Sequence, residues 1–214
     1  MPAAVKKHVG FALRAAQEGQ KHEDAEPLKG FKGAGVLEII TNFQTDTYRS
    51  IYTVRLVTAI YVLHVFMKKS TQGIATPERE IDLIKARLKR ARELDAEALK
   101  KNVKPNKEEK LMSDKTDYEV SCGNVFADLG LPDADLLLEK SRIVLSLTRA
   151  IKEKGWTYPQ AAEILGIQPP DFSDLVRGEW EDFSIERLMR FSALIDDVVQ
   201  NEELTQPQND LIPT

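Results

Sequence analysis

The sequence predicts an α+β domain with a small antiparallel sheet, followed by an all-α domain. Between two helical segments of the first half lie three runs rich in β-branched and aromatic residues, Val36–Asn42, Thr47–Val57 and Ile60–Lys68, a composition typical of strands. Only short polar breaks separate these runs, which favours antiparallel hairpins. From about residue 121 onward, the apolar residues recur at helical spacing. A chain of 214 residues is long enough for two small domains that each bury a core.

A helix opens the first half and a longer helix closes it. The first has Gly19 at the position of a C-terminal cap, and the longer one has Thr76 as its N-cap and Pro77 in its first turn. Between the first helix and the first strand run, the segment QKHEDAEPLKGFKGAG predicts a turn region without a regular element. The apolar residues at helical spacing are Val5, Val9, Ala12, Leu13 and Ala16 in the first helix and Ile81, Ile84, Leu88 and Ala91 in the second.

The second half begins with two helices that carry clear end signals. One starts at Asp133 or Asp135 and runs to Gly155. Thr157, with Gln160 three residues later, predicts the capping box of a short second helix.

Two further helices follow, and the second and third meet at Gly166. The third begins at the pair Pro169–Pro170 and ends at Gly178, and the fourth extends from a Ser184 cap through Ile195. Two short helices joined at a residue that tolerates positive φ have the geometry of a helix-turn-helix. The apolar residues available for their shared core are Ile164, Leu165, Ile167, Phe172 and Leu175.

Charge divides the chain in the same way. Residues 1–112 carry 21 Lys and Arg against 14 Asp and Glu, whereas residues 113–214 carry 9 against 20. Such asymmetry indicates either two parts with different partners, one of them nucleic acid, or two ordinary domains that differ in pI. It also favours contact between the two halves. The predicted organisation is a domain at 1–97, a charged linker at 98–120, a second domain at 121–200 and a flexible tail at 201–214.

Composition excludes several classes of protein. Apolar residues make up 42% of the chain and charged residues 30%, a globular balance. The most apolar stretch, Leu56–Met67, is too short to span a bilayer, and the N-terminus has no signal-peptide core. Cys122 is the single cysteine, and no Cys/His group has metal-ligand spacing. We therefore expect a cytoplasmic protein without metal, cofactor or membrane contact.

Strand alternation sorts basic and titratable side chains onto common faces. Arg49 and Arg55 share a face of the second run, and His64 and Lys68 share a face of the third, with Lys69 at its end. Two arginines, an imidazole and a lysine pair on neighbouring strands are able to bind a phosphate, stabilise its charge and move protons. The alternative is a structural histidine beside solvated lysines.

Four blocks, in this order, resemble the RelE/HigB-type toxins, including a phage-derived subgroup: PLKGFKGAGVLEI, TYRSIYTVRL, YVLHVFMKKS and GIATPEREIDLIKARLKRA. The resemblance covers about residues 2–95. It implies the microbial RNase fold and a metal-independent, ribosome-dependent mRNA endonuclease. Such enzymes activate a 2′-hydroxyl for attack on the adjacent phosphate.

The resemblance also implies roles for particular residues. Arg49, in the YRxxY block, matches the strand arginine that binds phosphate, and Lys68 and Lys69 match the basic pair after the last strand. His64 lies on the block that supplies general acid–base candidates. Arg55 joins this candidate set from strand alternation alone.

The second half resembles a HigA-type antitoxin, from about Ser121 to Val199, beginning with the block SCGNVFADLGLPDADLLLEKSRIV. Within it, Thr157–Gly178 resembles the helix-turn-helix of the phage-repressor-like (XRE) family. Toxin before antitoxin is the HigB–HigA order, so the whole chain resembles a fused pair, with Met112 similar to a former start codon. The candidate DNA-reading residues are Gln168, Pro169, Ser173, Asp174 and Arg177.

Partners follow from this resemblance. The first half is expected to act on mRNA at the ribosome, and the second half is expected to neutralise it by intramolecular contact and to bind operator DNA as a homodimer. The family's first strand has no counterpart before Pro2. Together with the recognisable Thr157–Gly178 motif, this departure favours an alternative, a helix-turn-helix repressor with a catalytically dead toxin-like domain. The reading helix begins with prolines and aspartates that suit DNA poorly, which leaves open a helix-turn-helix fold retained for protein contact. A third alternative is an inert relic.

Overall fold

The computed structural model of the chain describes residues 1–69, 77–101 and 118–205. It divides into two compact units, Met1–Asp135 and Leu136–Thr214. The expected cap Thr76 and the linker residues Pro105 and Met112 lie outside the described residues. Within the described ranges, no helix is both long enough and apolar enough to cross a bilayer. The elements are α1 (Ala3–Gln17), β1 (Ala25–Pro27), β2 (Val36–Phe43), β3 (Asp46–Thr53), β4 (Val62–Lys69), α2 (Glu78–Lys101), α3 (Val125–Asp128), α4 (Ala134–Lys154), α5 (Tyr158–Leu165), α6 (Pro169–Arg177) and α7 (Ile185–Thr205).

The first unit contains a four-stranded sheet in which the strand order β1-β2-β3-β4 follows the sequence and all neighbours are antiparallel. The predicted strand runs correspond to β2, β3 and β4, and the predicted α+β class is confirmed. The expectation that the segment before β2 holds no regular element was wrong, because β1 lies within it. This strand has three residues and is defined by its pairing, with Ala25 opposite Ile39, which a local pattern does not reveal.

Helices cover both faces of the sheet. Ile51 of β3 packs with Ile84 and Leu88 of α2 in one buried cluster. Alternate strand residues point to the opposite face, where α1 contacts β2 and β3. There, His8 of α1 is hydrogen-bonded to Thr41 of β2 at 2.8 Å. The sheet therefore has an α1 face and an α2 face.

β3 ends at Thr53, earlier than the predicted end of this run. The connection that follows is held by a carboxylate of α2 rather than by a tight hairpin turn. Asp95 accepts hydrogen bonds from Val57 N at 3.2 Å, from Thr58 N at 2.7 Å and from Thr58 Oγ1 at 2.6 Å. This clamp explains how the chain turns here without the Gly or Asn that a two-residue hairpin requires.

The short helix α3 packs on α1 within the first unit. Asn124 caps α3, because its side chain accepts hydrogen bonds from the backbone N–H groups of Phe126 and Ala127. The Phe126 side chain is fully buried. It lies so close to Gly10 of α1 that a Cβ atom on Gly10 would stand 2.9 Å from the ring. Gly10 therefore provides the space into which Phe126 fits.

The second unit is helical, as predicted. The predicted capping box joins Thr157 and Gln160, and Thr157 N donates to Gln160 Oε1 at 2.8 Å. The junction between α5 and α6 contains Gly166 in the left-handed region, with φ of 66°. Ser184 caps α7 by accepting a hydrogen bond from Arg187 N at 3.2 Å. α7 continues past the predicted end at Ile195 to Thr205, since NEELT favours helix without adding apolar periodicity. The unit's buried side chains include Leu147, Ile151, Leu165, Phe172, Leu175, Leu188 and Ile195.

Candidate functional site

The register of β3 and β4 brings three of the predicted catalytic residues to the α2 face. Lys68 of β4 lies opposite Thr47, and His64 lies opposite Ile51. Arg49 stands midway between Thr47 and Ile51 in β3, so Arg49, His64 and Lys68 point to the same side. The register therefore places the three side chains on one face of the sheet.

Arg49 forms a buried ion pair. Its Nη1 donates to Glu38 Oε2 at 2.8 Å, and the two side chains are only 8% and 9% exposed. Charges this well removed from water persist only when paired. Sequence reasoning missed Glu38, although a single charge inside the apolar run VLEII of a central strand was a visible signal.

His64 is held between a carboxylate and a guanidinium group of α2. Its Nε2 lies 2.6 Å from Glu80 Oε2, and its Nδ1 lies 2.9 Å from Arg87 Nη1. Because a guanidinium only donates, Nδ1 must accept and the ring proton belongs on Nε2, directed at Glu80. The ring also stacks on Phe66, with centroids 5.2 Å apart. The partners thus define both the orientation and the tautomer of His64.

The sequence signal for Glu80 and Arg87 was weak. They are seven residues apart on α2, which places them on the same side of the helix. Arg87 is fixed further by donating to the carbonyl oxygen of Leu63 at 2.8 Å. Only the packing of α2 against β4 shows that both residues meet His64.

The other two predicted catalytic residues differ in position. Arg55 lies beyond the end of β3, so strand alternation no longer applies to it. Its Nη1 donates to Gly33 O at 2.9 Å, and its aliphatic part lies against Gly35. Lys69 is the last residue of β4, opposite Asp46, and its side chain lies outside what the structure describes.

The α2 face therefore offers an imidazole with a defined lone pair, a carboxylate that orients it, and nearby cations. Lys68 is half-buried and Arg87 is exposed. Such a set is able to accept a proton and to stabilise an oxyanion. A separate group, His8, His22 and Asp24, has the donor types that bind metal ions.

In the second unit, the predicted DNA-reading residues occupy α6 and the residue before it. Gln168, Pro169 and Arg177 are exposed, whereas Ser173 and Asp174 are half-buried. Arg177 supplies the positive charge of the last turn, and the first turn contains an acidic residue instead.

Two cations of α7 were not among the predicted DNA-binding residues. Arg187 and Arg190 line a shallow groove together with Gly166 and Ser184. The Arg187 guanidinium lies over the Phe183 ring, 4.8 Å from its centroid. Their spacing on one helix was visible in the sequence, but their position beside the α5–α6 turn depends on how α7 packs against α5.

Two family models match parts of the chain. Residues 1–89 match the family described as Phage derived protein Gp49-like (DUF891), and residues 125–201 match a Helix-turn-helix domain. No curated protein and no solved structure matches the chain.

The fold and these matches define the class, a toxin-type domain followed by a helix-turn-helix domain that supports DNA binding. More particularly, residues 1–89 match the Gp49-like, phage-derived family, which supports the RelE/HigB-type toxin resemblance of the first domain. The chain has the arrangement of a toxin fused to its helix-turn-helix antitoxin, as the sequence predicted.

Proposed function

We propose that the chain is a self-inhibited toxin–antitoxin fusion whose first domain cleaves mRNA at the ribosome and whose second domain neutralises it and binds operator DNA. The observation that carries this proposal is His64, fixed between Glu80 and Arg87 on the face that also presents Lys68. A family of RNA-cleaving toxins needs a proton acceptor and cations at one place, and this face supplies both.

His64 is the general base in this proposal. Arg87 leaves Nδ1 and pairs with the scissile phosphate, and the 2′-hydroxyl proton passes to the vacated Nδ1 lone pair. The 2′-oxygen then forms a bond to phosphorus as the bond from phosphorus to the 5′-oxygen breaks. The departing 5′-oxygen takes up a proton from a water molecule, and the hydroxide so formed removes the proton from the His64 imidazolium. The products are a 2′,3′-cyclic phosphate and a 5′-hydroxyl. Glu80 keeps its hydrogen bond to Nε2 and stabilises the imidazolium.

The cations share the phosphate charge. Lys68 is half-buried and lies on the same face as His64, and Lys69 follows it at the strand end. Arg49 is 7% exposed and already bonded to Glu38, so it has little surface to present to a phosphate. We therefore assign Arg49 a positioning role, in which the ion pair holds β2 and β3 in register on the face that presents His64. Arg55, bonded to Gly33, has no part in the chemistry.

The contact between α1 and α3 supports the intramolecular part of the proposal. Phe126 belongs to the antitoxin-like segment, and it is buried against Gly10 of the toxin-type domain. This contact lies on α1, whereas His64 faces α2, so α3 itself does not cover the site. We expect inhibition to come from the second unit, because residues 136–214 carry 14 Asp and Glu against 8 Lys and Arg, and this excess of negative charge repels the phosphate-rich ribosome.

The test is induction in bacteria of the full chain and of the first unit, residues 1–135, which keeps α3. We expect growth arrest and cuts within translated mRNA from the first unit alone, mapped by primer extension. His64→Gln should reduce cleavage by at least roughly 100-fold, since a general base contributes about that much. Lys89→Gln, which changes an exposed cation elsewhere on α2, is the matched control and should cleave normally. A folded first unit that cuts no mRNA would remove the nuclease from the proposal.

The second candidate function is a repressor whose toxin-type domain no longer acts. The buried pairing of Arg49 with Glu38 favours it, because this pairing withdraws a cation to which the family resemblance assigns phosphate binding. A mobility shift with DNA from upstream of the gene tests it, with the full chain as a homodimer on two half-sites. Arg177→Ala should weaken binding and lower its salt dependence. Lys152→Ala, which removes an exposed cation of α4, should change neither.

A further inference from the structure

Two of the three histidines of the chain meet away from the proposed nuclease site. His8 lies on α1, and His22 and Asp24 lie in the segment that leads into β1. One ligand atom from each of the three residues lies within 4.8 Å of the others. The residues come from two separate parts of the sequence, so the fold rather than a spacing motif brings them together.

The hydrogen bonds around His8 resemble those of a metal ligand. Its Nδ1 lies 2.8 Å from Thr41 Oγ1 and its Nε2 lies 3.0 Å from Asp24 Oδ2. A threonine hydroxyl can donate or accept, so the direction of its hydrogen bond with Nδ1 depends on the tautomer of His8. In the tautomer in which Nδ1–H donates to Thr41, Nε2 keeps its lone pair beside the Asp24 carboxylate, and the two can bind one cation. A histidine ligand whose second nitrogen is held by a polar partner is the usual arrangement at metal sites.

His22 completes the group from a buried position. The residue is 4% exposed, and its ring centroid lies 5.0 Å from that of His8. Asp24 N donates to His22 Nδ1 at 3.2 Å, which keeps the ring beside the Asp24 carboxylate. On binding an ion, His22 stays neutral and exchanges this long hydrogen bond at Nδ1 for a bond from nitrogen to metal.

We propose that His8, His22 and Asp24 bind one divalent transition-metal ion, Zn²⁺ by ligand preference, with water as the fourth ligand. Two imidazole nitrogens and one carboxylate oxygen suit Zn²⁺, whereas Mg²⁺ prefers oxygen ligands throughout. The ion joins the first helix to the three-residue edge strand β1. It does not take part in the proposed RNA cleavage, because His8 and Thr41 lie on the α1 face and His64 lies on the α2 face.

The test is a zinc titration of the metal-free full chain against a chromophoric chelator, with Mg²⁺ as the comparison ion. We expect one Zn²⁺ per chain and no Mg²⁺ at the same concentration. Cobalt in place of zinc should give the visible absorption of a four-coordinate ion. With free zinc at about 100 times the dissociation constant, the melting temperature should rise by roughly 5–10 °C.

Variants identify the ligands. His8→Ala and Asp24→Asn change half-buried residues and should abolish the one-to-one binding while the circular dichroism of the protein stays unchanged. Thr41→Val should weaken it by about 10- to 100-fold, as is usual for a group that orients a ligand. His64→Gln and Cys122→Ser alter the remaining histidine and the single cysteine and should bind zinc like the parent chain. Absence of zinc binding, or equal binding by His8→Ala, would overturn the proposal.

Discussion

Arg49 and Glu38 form an ion pair that is closed to water between two central strands, with Nη1 of the arginine 2.8 Å from Oε2 of the glutamate. The register of β2, β3 and β4 places the pair on the α2 face, the same face that presents His64. Arg49, to which the family resemblance assigns phosphate binding, is thus buried in the first unit. The ion pair between Arg49 and Glu38 should therefore affect the stability of the first unit, which can be measured without any substrate.

Arg49→Ala should destabilise the first unit by about 3–5 kcal/mol, because it leaves the Glu38 carboxylate buried without its partner. The double variant Arg49→Met with Glu38→Leu should cost far less, since neither charge remains. Hydrogen exchange of the β2 and β3 amides measures both, and it reports on the first unit alone. Equal losses of protection in the single and double variants would contradict a coupled pair.

Gly10→Ala should destabilise the first unit even though alanine is the better helix former by about 1 kcal/mol. The new Cβ would stand 2.9 Å from Cδ1 and Cε1 of Phe126, closer than carbon atoms approach, so the ring must move. In a Phe126→Ala background the same change should become stabilising. Hydrogen-exchange protection of the α1 amides shows whether Gly10→Ala stabilises or destabilises the first unit in each background. If Gly10→Ala changed stability in the same direction with and without the Phe126 ring, Phe126 would not be the reason that position 10 requires glycine.

Asp95→Asn should loosen the connection between β3 and β4 at neutral pH, since an amide accepts fewer of the three hydrogen bonds and presents a donor to them. Burial raises the pKa of Asp95, but the hydrogen bonds from Thr58 and Val57 outweigh it, and the net pKa lies below its ordinary value.

The sign of the pH dependence follows from that shift. The stabilisation by Asp95 is complete above the ordinary carboxyl pKa of about 3.9 and is lost as pH falls through the lower value in the folded protein. The difference in stability between the parent and Asp95→Asn should therefore shrink in acid. Asp82→Asn, which alters an exposed carboxylate on the same helix, should show no such trend.

Gly166→Ala should destabilise the second unit by about 1–2 kcal/mol, the cost of placing a Cβ atom in the left-handed region. Apart from the two chain neighbours, no atom of the described residues lies within 4 Å of the added Cβ, so we expect no cost from crowding. Gly166→Asn should cost less, because asparagine tolerates this backbone conformation. Thermal unfolding followed by the fluorescence of Trp180, which is buried in the second unit, measures both. Equal losses for Ala and Asn would argue against backbone strain as the cause.

The sequence predicted the elements whose signals are local. β2, β3 and β4 follow from side-chain composition, and the α5–α6 pair follows from a capping box and one glycine. It did not predict β1, which is defined by pairing with β2, or α3, whose four residues are too few for a helical period.

The residues of the candidate sites also fall into those with a local sequence signal and those without one. Alternation placed Arg49 on one face of its strand and placed His64 and Lys68 on one face of theirs, and the register of β3 and β4 puts these two faces on the same side of the sheet. Glu38, Glu80 and Arg87 were missed because each acquires its partner from another strand or helix. The approach of His8 to His22 and Asp24 was missed for the same reason, since the spacing of the three residues along the chain matches no metal-binding motif.

The seating of Phe126 on Gly10 has a consequence for proteolysis. A single cut between Lys101 and Tyr118 would leave the second fragment attached by this contact, which belongs to the first unit. Before the cut, the linker holds the second fragment at an effective concentration on the order of millimolar, as for any short tether. After the cut, binding depends instead on the concentration of the fragment in the cell. Release of the toxin-type domain would then depend on dilution and on how long the buried contact of Phe126 with Gly10 persists. The protease would determine only when dissociation can begin.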